Sequence, residues 1–220
     1  VMLSLDCYAI CSHVKTDNAK DTKFEYMYFC KYPQENIPKG GEEAYGVSLK
    51  KEVLGYSFDV TLLGIHADNP YFDAEVEKGE DRALVSSAMA QKYRIHEGDE
   101  VTLFDEENDK DYTFTVEGIV PYSAGYFAFM DIDSMRGLMG EDDGFYNIVF
   151  AGRSLDMERE LLSHVLSKSD VEKSSSVFVE QMKGMVIMLL AVSALMFDVV
   201  MYLMTKVMID RLAISISMFK

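Results

Sequence analysis

From Gly184 to Thr205 the chain reads GMVIMLLAVSALMFDVVMYLMT, 22 residues with a single charged side chain, Asp198. A bilayer core is crossed by roughly 20 apolar residues at about 1.5 Å rise each. A helix that is apolar on every face is either such a span or is hidden in a large core. A chain of 220 residues holds one domain with appendages or two small domains, which leaves little core for hiding that helix. The segment 179–205 is therefore read as a transmembrane helix.

The flanks suggest its orientation. Lys206, Arg211 and Lys220 follow the run, with Asp210 among them, while Glu180 and Lys183 precede it. Basic residues on the C-terminal side place that end in the cytoplasm. The preceding region then lies outside, in an extracytoplasmic domain over 15–178 bounded by the plasma membrane. Its composition fits that place. The chain carries 37 acidic and 21 basic side chains, a formal charge of -16, which makes it soluble outside the apolar run and repels phosphate polymers. No nucleic-acid partner is expected. The first residues, VMLSLDCYAICSHV, are apolar up to Ile10 but lack the basic start and small-residue cleavage site of a signal peptide. They read as the end of another transmembrane helix over 1–14, or as an ordinary helix packed on the domain.

Residues 15–178 read as a mixed α and β domain. KFEYMYFCKY (23–32), YSFDVTLLGI (56–65), RALVS (82–86), YTFTVEGIV (112–120), AGYFAFM (124–130) and FYNIVFAG (145–152) are predicted strands, by β-branched and aromatic content or by alternation. Helices are predicted for EEAYGVSLKKEV (42–53), ended by Gly55, and for SSAMAQKYRI (86–95), capped by Ser86 or Ser87. Two more are predicted for DIDSMRGLMG (131–140), closed by Gly140, and for SLDMERELLSHVLSK (154–168), capped by Ser154 with Leu155, Leu161, Leu162 and Val165 inward. HEGDEVTLF (96–104) turns at Gly98–Asp99 into a strand, and DEENDKD (105–111) is the tip of a hairpin. A last short strand is expected over 171–179. The fold class is α+β: a mixed α/β extracytoplasmic domain plus a C-terminal transmembrane helix.

Chemistry is sparse. Cys7, Cys11 and Cys30 form no C-x-x-C pair and no zinc spacing, and three thiols are too few for a disulfide scaffold. His13, His66, His96 and His164 are scattered. His66 lies near Asp68 and Asp73, which suits a carboxylate–imidazole metal site or, more simply, a polar loop. DEENDKD fails as a calcium loop, because the glycine and glutamate positions hold Lys110 and Val116. GEEAYGVS (41–48) has Gly41 and Gly46 at phosphate-loop spacing, but Val47 stands where the lysine must be. No catalytic, cofactor-binding or metal site is assigned, and no enzyme activity or cofactor is expected.

LVSSAMAQKYRIHEGDEVTLF, followed by the hairpin and YTFTVEGIV, resembles the extracytoplasmic domain of FtsX-like/MacB-like ABC-transporter permeases. The segment from Ala90 through Gly98 and Asp99 to Val101 matches a recurring A…G-D-x-V element, where a short helix ends, Gly-Asp turns and a strand begins. The end of the chain is similar as well. Arg211, Ile214, Ile216 and Lys220 approximate a cytoplasmic coupling segment over 206–220, with Ser215 near a place where the family commonly carries an acidic residue. The resemblance implies a permease subunit with ATP hydrolysis on a separate chain, an ATP-binding subunit of an ABC transporter, and partners that include membrane lipid and a second permease in a dimer. It implies no external binding residue. Two rivals stand beside it: a membrane-anchored sensor or regulator of cell-envelope proteins without transport, and a soluble domain whose last helix is buried in an oligomer.

Asp198 is the one charged residue in the run. An ionised carboxylate at mid-bilayer costs about 2.5–3.5 kcal/mol, so such residues face protein. Ser193, Met201 and Thr205 share its face or lie near it. Asp198 is expected either to help neighbouring spans pack and transmit motion, or to be tolerated there in its neutral form.

Overall fold

The computed structural model describes residues 16, 20–32 and 37–217. Residues 16–174 form one compact unit, and a second includes Ser175 onward. The first unit is built on nine strands: β1 (Tyr26–Cys30), β2 (Gly41–Val53), β3 (Tyr56–Ile65), β4 (Arg82–Ser86), β5 (Glu100–Asp105), β6 (Lys110–Val120), β7 (Phe127–Asp131), β8 (Ile148–Ala151) and β9 (Leu162–Ser167). Two short helices, α1 (Ser87–Tyr93) and α2 (Ile132–Met139), follow β4 and β7. A third helix, α3 (Lys168–Ser217), runs for 50 residues. The α+β class with a long apolar C-terminal helix stands.

The strand order is β3-β7-β4-β6-β5-β2-β8-β1-β9, and β2 also pairs with β3. That extra pairing closes β3, β7, β4, β6, β5 and β2 into a ring. The β3–β7 and β4–β6 pairs are parallel and the others antiparallel. Buried residues alternate along the ring strands: Val60 and Leu62, Ala83 and Val85, Val101 and Leu103, Phe114 and Val116, Ala128 and Met130. They meet Met89 of α1 and Met135 of α2 in one cluster. Alternation by two puts one face of every strand into this core. Leu63, Ile65 and Phe129 point the other way, into a second cluster with Phe72, Ala74, Tyr122 and Phe150. With both faces covered, β3 reads as the unbroken apolar run LLGI rather than an alternating one.

The predicted helix over 42–53 is strand β2. Its 13 residues pair with β3 over nine positions, from Tyr45↔Gly64 to Val53↔Tyr56. Leu54 and Gly55 both have positive φ, 51° and 80°, the two-residue turn whose twist suits a hairpin. A leucine in the first turn position hides that hairpin from sequence patterns. Gly46, half of the phosphate-loop near miss, is needed for closeness. A Cβ there would lie 2.4 Å from Ile148 Cδ1, and Asn147 clasps its backbone, accepting from Gly46 N at 2.8 Å and donating to Gly46 O at 2.8 Å.

The predicted helix over 154–168 and the predicted strand over 171–179 are also exchanged. Residues 162–167 are β9, which pairs with β1 from Tyr26↔Ser167 to Cys30↔Leu162, and the helix starts at Lys168. Leu155, Leu162 and Val165 do turn inward, onto Tyr28, Tyr146, Val149 and Ala151. They do so from a loop and a strand, because β1 offers an open edge. Leu155 N donates to Tyr28 Oη at 2.9 Å, fixing the loop. The expected end of a span over 1–14, with Cys7, Cys11 and His13, lies outside the described residues.

The other elements fall within a few residues of expectation. Ser86, not Ser87, caps α1: its Oγ accepts from Met89 N at 3.3 Å and Phe127 N at 3.0 Å and donates to Gly125 O at 2.9 Å. Residues 105–111 form the hairpin tip between β5 and β6. Asp105, 2% exposed, ties it: Oδ1 accepts from Glu107 N at 2.9 Å and Asn108 N at 3.1 Å, and Oδ2 from Asn108 Nδ2 at 2.9 Å. These bonds, the Asn108 side chain first, hold the carboxyl below its ordinary value against the opposing effect of burial. Replacing Asp105 by Ala leaves those donors unanswered and should cost about 1–3 kcal/mol at neutral pH by denaturant unfolding. A depressed carboxyl stabilises the fold above its unfolded pKa and loses that contribution as pH falls through the folded value. The gap between the D105A variant and the native chain should therefore narrow below pH 3.8.

Candidate functional site

The candidate site has two parts: the start of α3 with its apolar run, and the charged residues that lock the sheet domain. α3 begins at a reciprocal cap. Ser167 N donates to Asp170 Oδ2 at 3.2 Å, and Asp170 N donates to Ser167 Oγ at 3.2 Å. Ser167 Oγ also donates to the same carboxylate at 2.6 Å. This is a capping box, with the acid near the positive end of the helix dipole. The Ser167 hydroxyl, then its backbone N–H, holds the Asp170 carboxyl below its ordinary value. The backbone N–H of Lys168 donates to Glu25 O at 3.0 Å, so the helix begins while still bonded to the chain entering β1.

The whole apolar run then falls inside one helix, and from Ile187 to Arg211 its side chains are exposed apart from a half-buried Leu190. Leu195, Met196, Phe197, Tyr202 and Met204 are each at least 64% exposed, so no described residue covers them. Length and composition suffice to cross a membrane.

Asp198 sits in mid-run and is exposed. Thr205, seven residues on, and Met201, three on, share its side of the helix. Ser193 does not, because five residues turn an α-helix by about 500°, some 140° away from alignment. Thr205 Oγ1 donates to Met201 O at 2.8 Å, so that hydroxyl is satisfied within the helix rather than by Asp198. Arg211 is exposed on the same helix and Ile214 lies on its helical backbone. Lys220 lies outside the described residues.

In the sheet domain, His66 does not meet Asp68 and Asp73. Its Nε2 lies 2.9 Å from Glu43 Oε1, and Asp73 pairs with Lys23. Among the described residues no three His, Cys, Asp or Glu side chains are placed to hold a metal ion. Glu43 is instead the centre of a network that spacing in the sequence does not suggest. Arg136, 4% exposed, donates from Nη2 to Glu43 Oε1 at 3.2 Å, from Nη1 to Asp133 Oδ1 at 3.2 Å and from Nε to Phe145 O at 2.7 Å. It ties β2 to α2 and to the loop before β8. Burial pushes the neighbouring Glu42 carboxyl up.

The segment from Ala90 to Val101 has the geometry read from it. α1 stops at Arg94 in the left-handed region, and Ile95 N donates to Ala90 O at 3.0 Å. Asp99 N donates to His96 O at 3.1 Å while Asp99 Oδ2 accepts from His96 N at 2.8 Å, closing the turn. Gly98, at φ 88°, donates to Val116 O at 2.7 Å, and β5 starts at Glu100.

The cap at α3 carries a prediction. Changing Ser167 to Ala removes the hydroxyl that both the carboxylate and the Asp170 N–H use. Amide exchange at residues 168–171 should speed up several-fold, while exchange in β6 stays unchanged; equal protection in both chains would show the cap to be idle.

No family model and no curated protein matches the chain. Among solved structures it is similar to the extracellular domain of the noncanonic ABC-type transporter YknZ from Gram-positive bacteria, at 13% identity over 63% of this chain and 87% of that one, with a TM-score of 0.38. It is also similar to the periplasmic region of MacB from Actinobacillus actinomycetemcomitans, at 9% identity over 73% of this chain and 96% of that one, with a TM-score of 0.40. At these identities and scores the functional reading rests on this chain's own residues.

Proposed function

We propose that the chain belongs to a permease subunit of an ABC transporter, with an extracytoplasmic domain that an ATP-binding subunit on another chain drives in export or mechanotransmission. One observation carries the reading. A single helix, capped at Ser167 beside strand β9, continues without a break through the apolar run. Tilting or sliding of such a helix in a membrane is the kind of motion by which an ATP-binding subunit would act on the domain outside. The resemblance of the segment from Leu84 to Asn147 to such permeases supports the same reading. In it, residues 15–178 face the outside of the plasma membrane, Arg211, Ile214 and Lys220 belong to the segment that meets the ATP-binding subunit, and lipid and a second permease surround the span. Asp198 then faces other permease helices, since lipid would not stabilise its carboxylate.

The test uses the full-length protein, purified by a tag in mild detergent. An ATP-binding subunit should co-purify, and its ATPase rate should depend on the permease. Asp198→Leu should lower complex recovery or the permease-dependent rate by several-fold. An unchanged complex with an unchanged rate would remove Asp198 from the mechanism. A membrane-bound protein with no ATPase attached would favour an anchored sensor of cell-envelope proteins.

A further inference from the structure

Strand β2 is held in the ring unevenly. It pairs with β3 over nine positions, but its ladder with β5 is the single pair Lys50↔Phe104. That register, continued, would set Glu52 opposite Thr102, yet the ladder stops before it. Burial stops at the same level. Leu49 and Val60, which face each other in the β2–β3 ladder, are both fully buried, and from Lys50 to Asp59 no residue is buried. Leu54 and Tyr56 at the turn are 94% and 71% exposed. A two-stranded ribbon without a core of its own is marginal by itself.

Side chains, rather than rungs of the ladder, hold this end of the hairpin down. Lys51 Nζ donates to Thr102 O of β5 at 3.2 Å. Burial pushes the Lys51 pKa down, as expected of an ammonium drawn in from water. On the neighbouring strand, the Lys92 ammonium of α1 lies 3.7 Å from the centre of the Phe58 ring and 4.3 Å from that of Tyr126. Such a contact is weak at an exposed site, and Lys92 is exposed. Beneath lies a cavity of about 590 Å³. Val53 and Leu54 of the hairpin line one side and Tyr93 of α1 the other, over a floor that includes the buried Ile95 and Val101.

We propose that residues 51–59, the end of the β2–β3 hairpin, form a flap over this cavity, hinged at the Lys50↔Phe104 rung and strapped by Lys51 and Lys92. Releasing the two straps costs no rung of the ladder and uncovers Ile95 and Val101. The ion pair of Lys50 with Glu106 keeps the hinge in place while the end swings. Nine rungs to β3 keep the hairpin itself intact, so it moves as one piece. The flap is independent of the permease reading, since every residue of it lies in the sheet domain.

The test is thiol labelling of the full-length protein in a neutral detergent, with the modified position located by peptide mass spectrometry. Val101→Cys places a thiol on the cavity floor, and Val85→Cys places one on β4 in the same core cluster; the two valines are 3% and 1% exposed. Position 101 should label at least about tenfold faster than position 85, because local opening reaches only the first. Lys51→Met together with Lys92→Met keeps both stems and removes both cations. That pair should speed labelling at 101 by about fivefold or more and leave 85 within about twofold. Ile95→Cys supplies a second floor position if Val101→Cys does not fold. Equal acceleration at floor and core would mean a general loosening and would overturn the flap. So would a labelling rate at the floor that ignores the loss of the two lysines.

Discussion

Strand β2 is the element on which the sheet domain depends. Its C-terminal part pairs with β3 over nine positions and closes the ring, while residues Gly41 to Ala44 pair with β8 and so recruit β1 and β9. One strand thus has neighbours in two sheets, and its side chains enter both cores: Ala44 in the second cluster, Tyr45 and Leu49 in the first. The ladder with β5 is a single residue pair, Lys50↔Phe104, so the hairpin to β3 carries most of the backbone pairing of β2 in the ring. Asn147 at Gly46 marks where β2 leaves one sheet for the other.

Polar groups fix what the apolar core leaves loose. Arg136 and Glu43 are nearly buried, at 5% and 13% side-chain exposure, and each satisfies more than one partner. A buried pair of this kind adds little net stability but penalises any packing that separates its members. It sets the position of α2 over β2. The reciprocal bonds of Ser167 and Asp170 act similarly at the head of α3, where they decide the residue at which extended chain becomes helix.

Where sequence patterns mislead, the cause is tertiary. The stretches 42–53 and 154–168 both show apolar residues at helical spacing, yet the first is a strand and the second is a loop followed by strand β9. In the first, a hairpin with Leu54 in a left-handed turn provides nine backbone pairings. In the second, β1 has an edge to fill, and Leu155, Leu162 and Val165 reach the same core from a loop and a strand. Local periodicity reports which residues turn inward, not the backbone that carries them. His66 teaches the same lesson: its sequence neighbours Asp68 and Asp73 are not its partners, and Glu43, 23 residues away, is.

The sequence by itself determined the apolar helix around Asp198, because a run of 22 residues with one charge has few places to go. It also determined the turn at Gly98–Asp99, a serine cap at Ser86 or Ser87, the stop at Gly140 and the charged hairpin tip, all of which depend on groups within a few residues of one another. Only the tertiary structure decided the ring closed by β2, the Arg136–Glu43 network and the contacts of Lys51 with Thr102 and of Lys92 with Phe58. Those features join residues from strands and loops far apart along the chain. The pairing of strands that brings them together is fixed by long-range backbone hydrogen bonds, which no local pattern encodes.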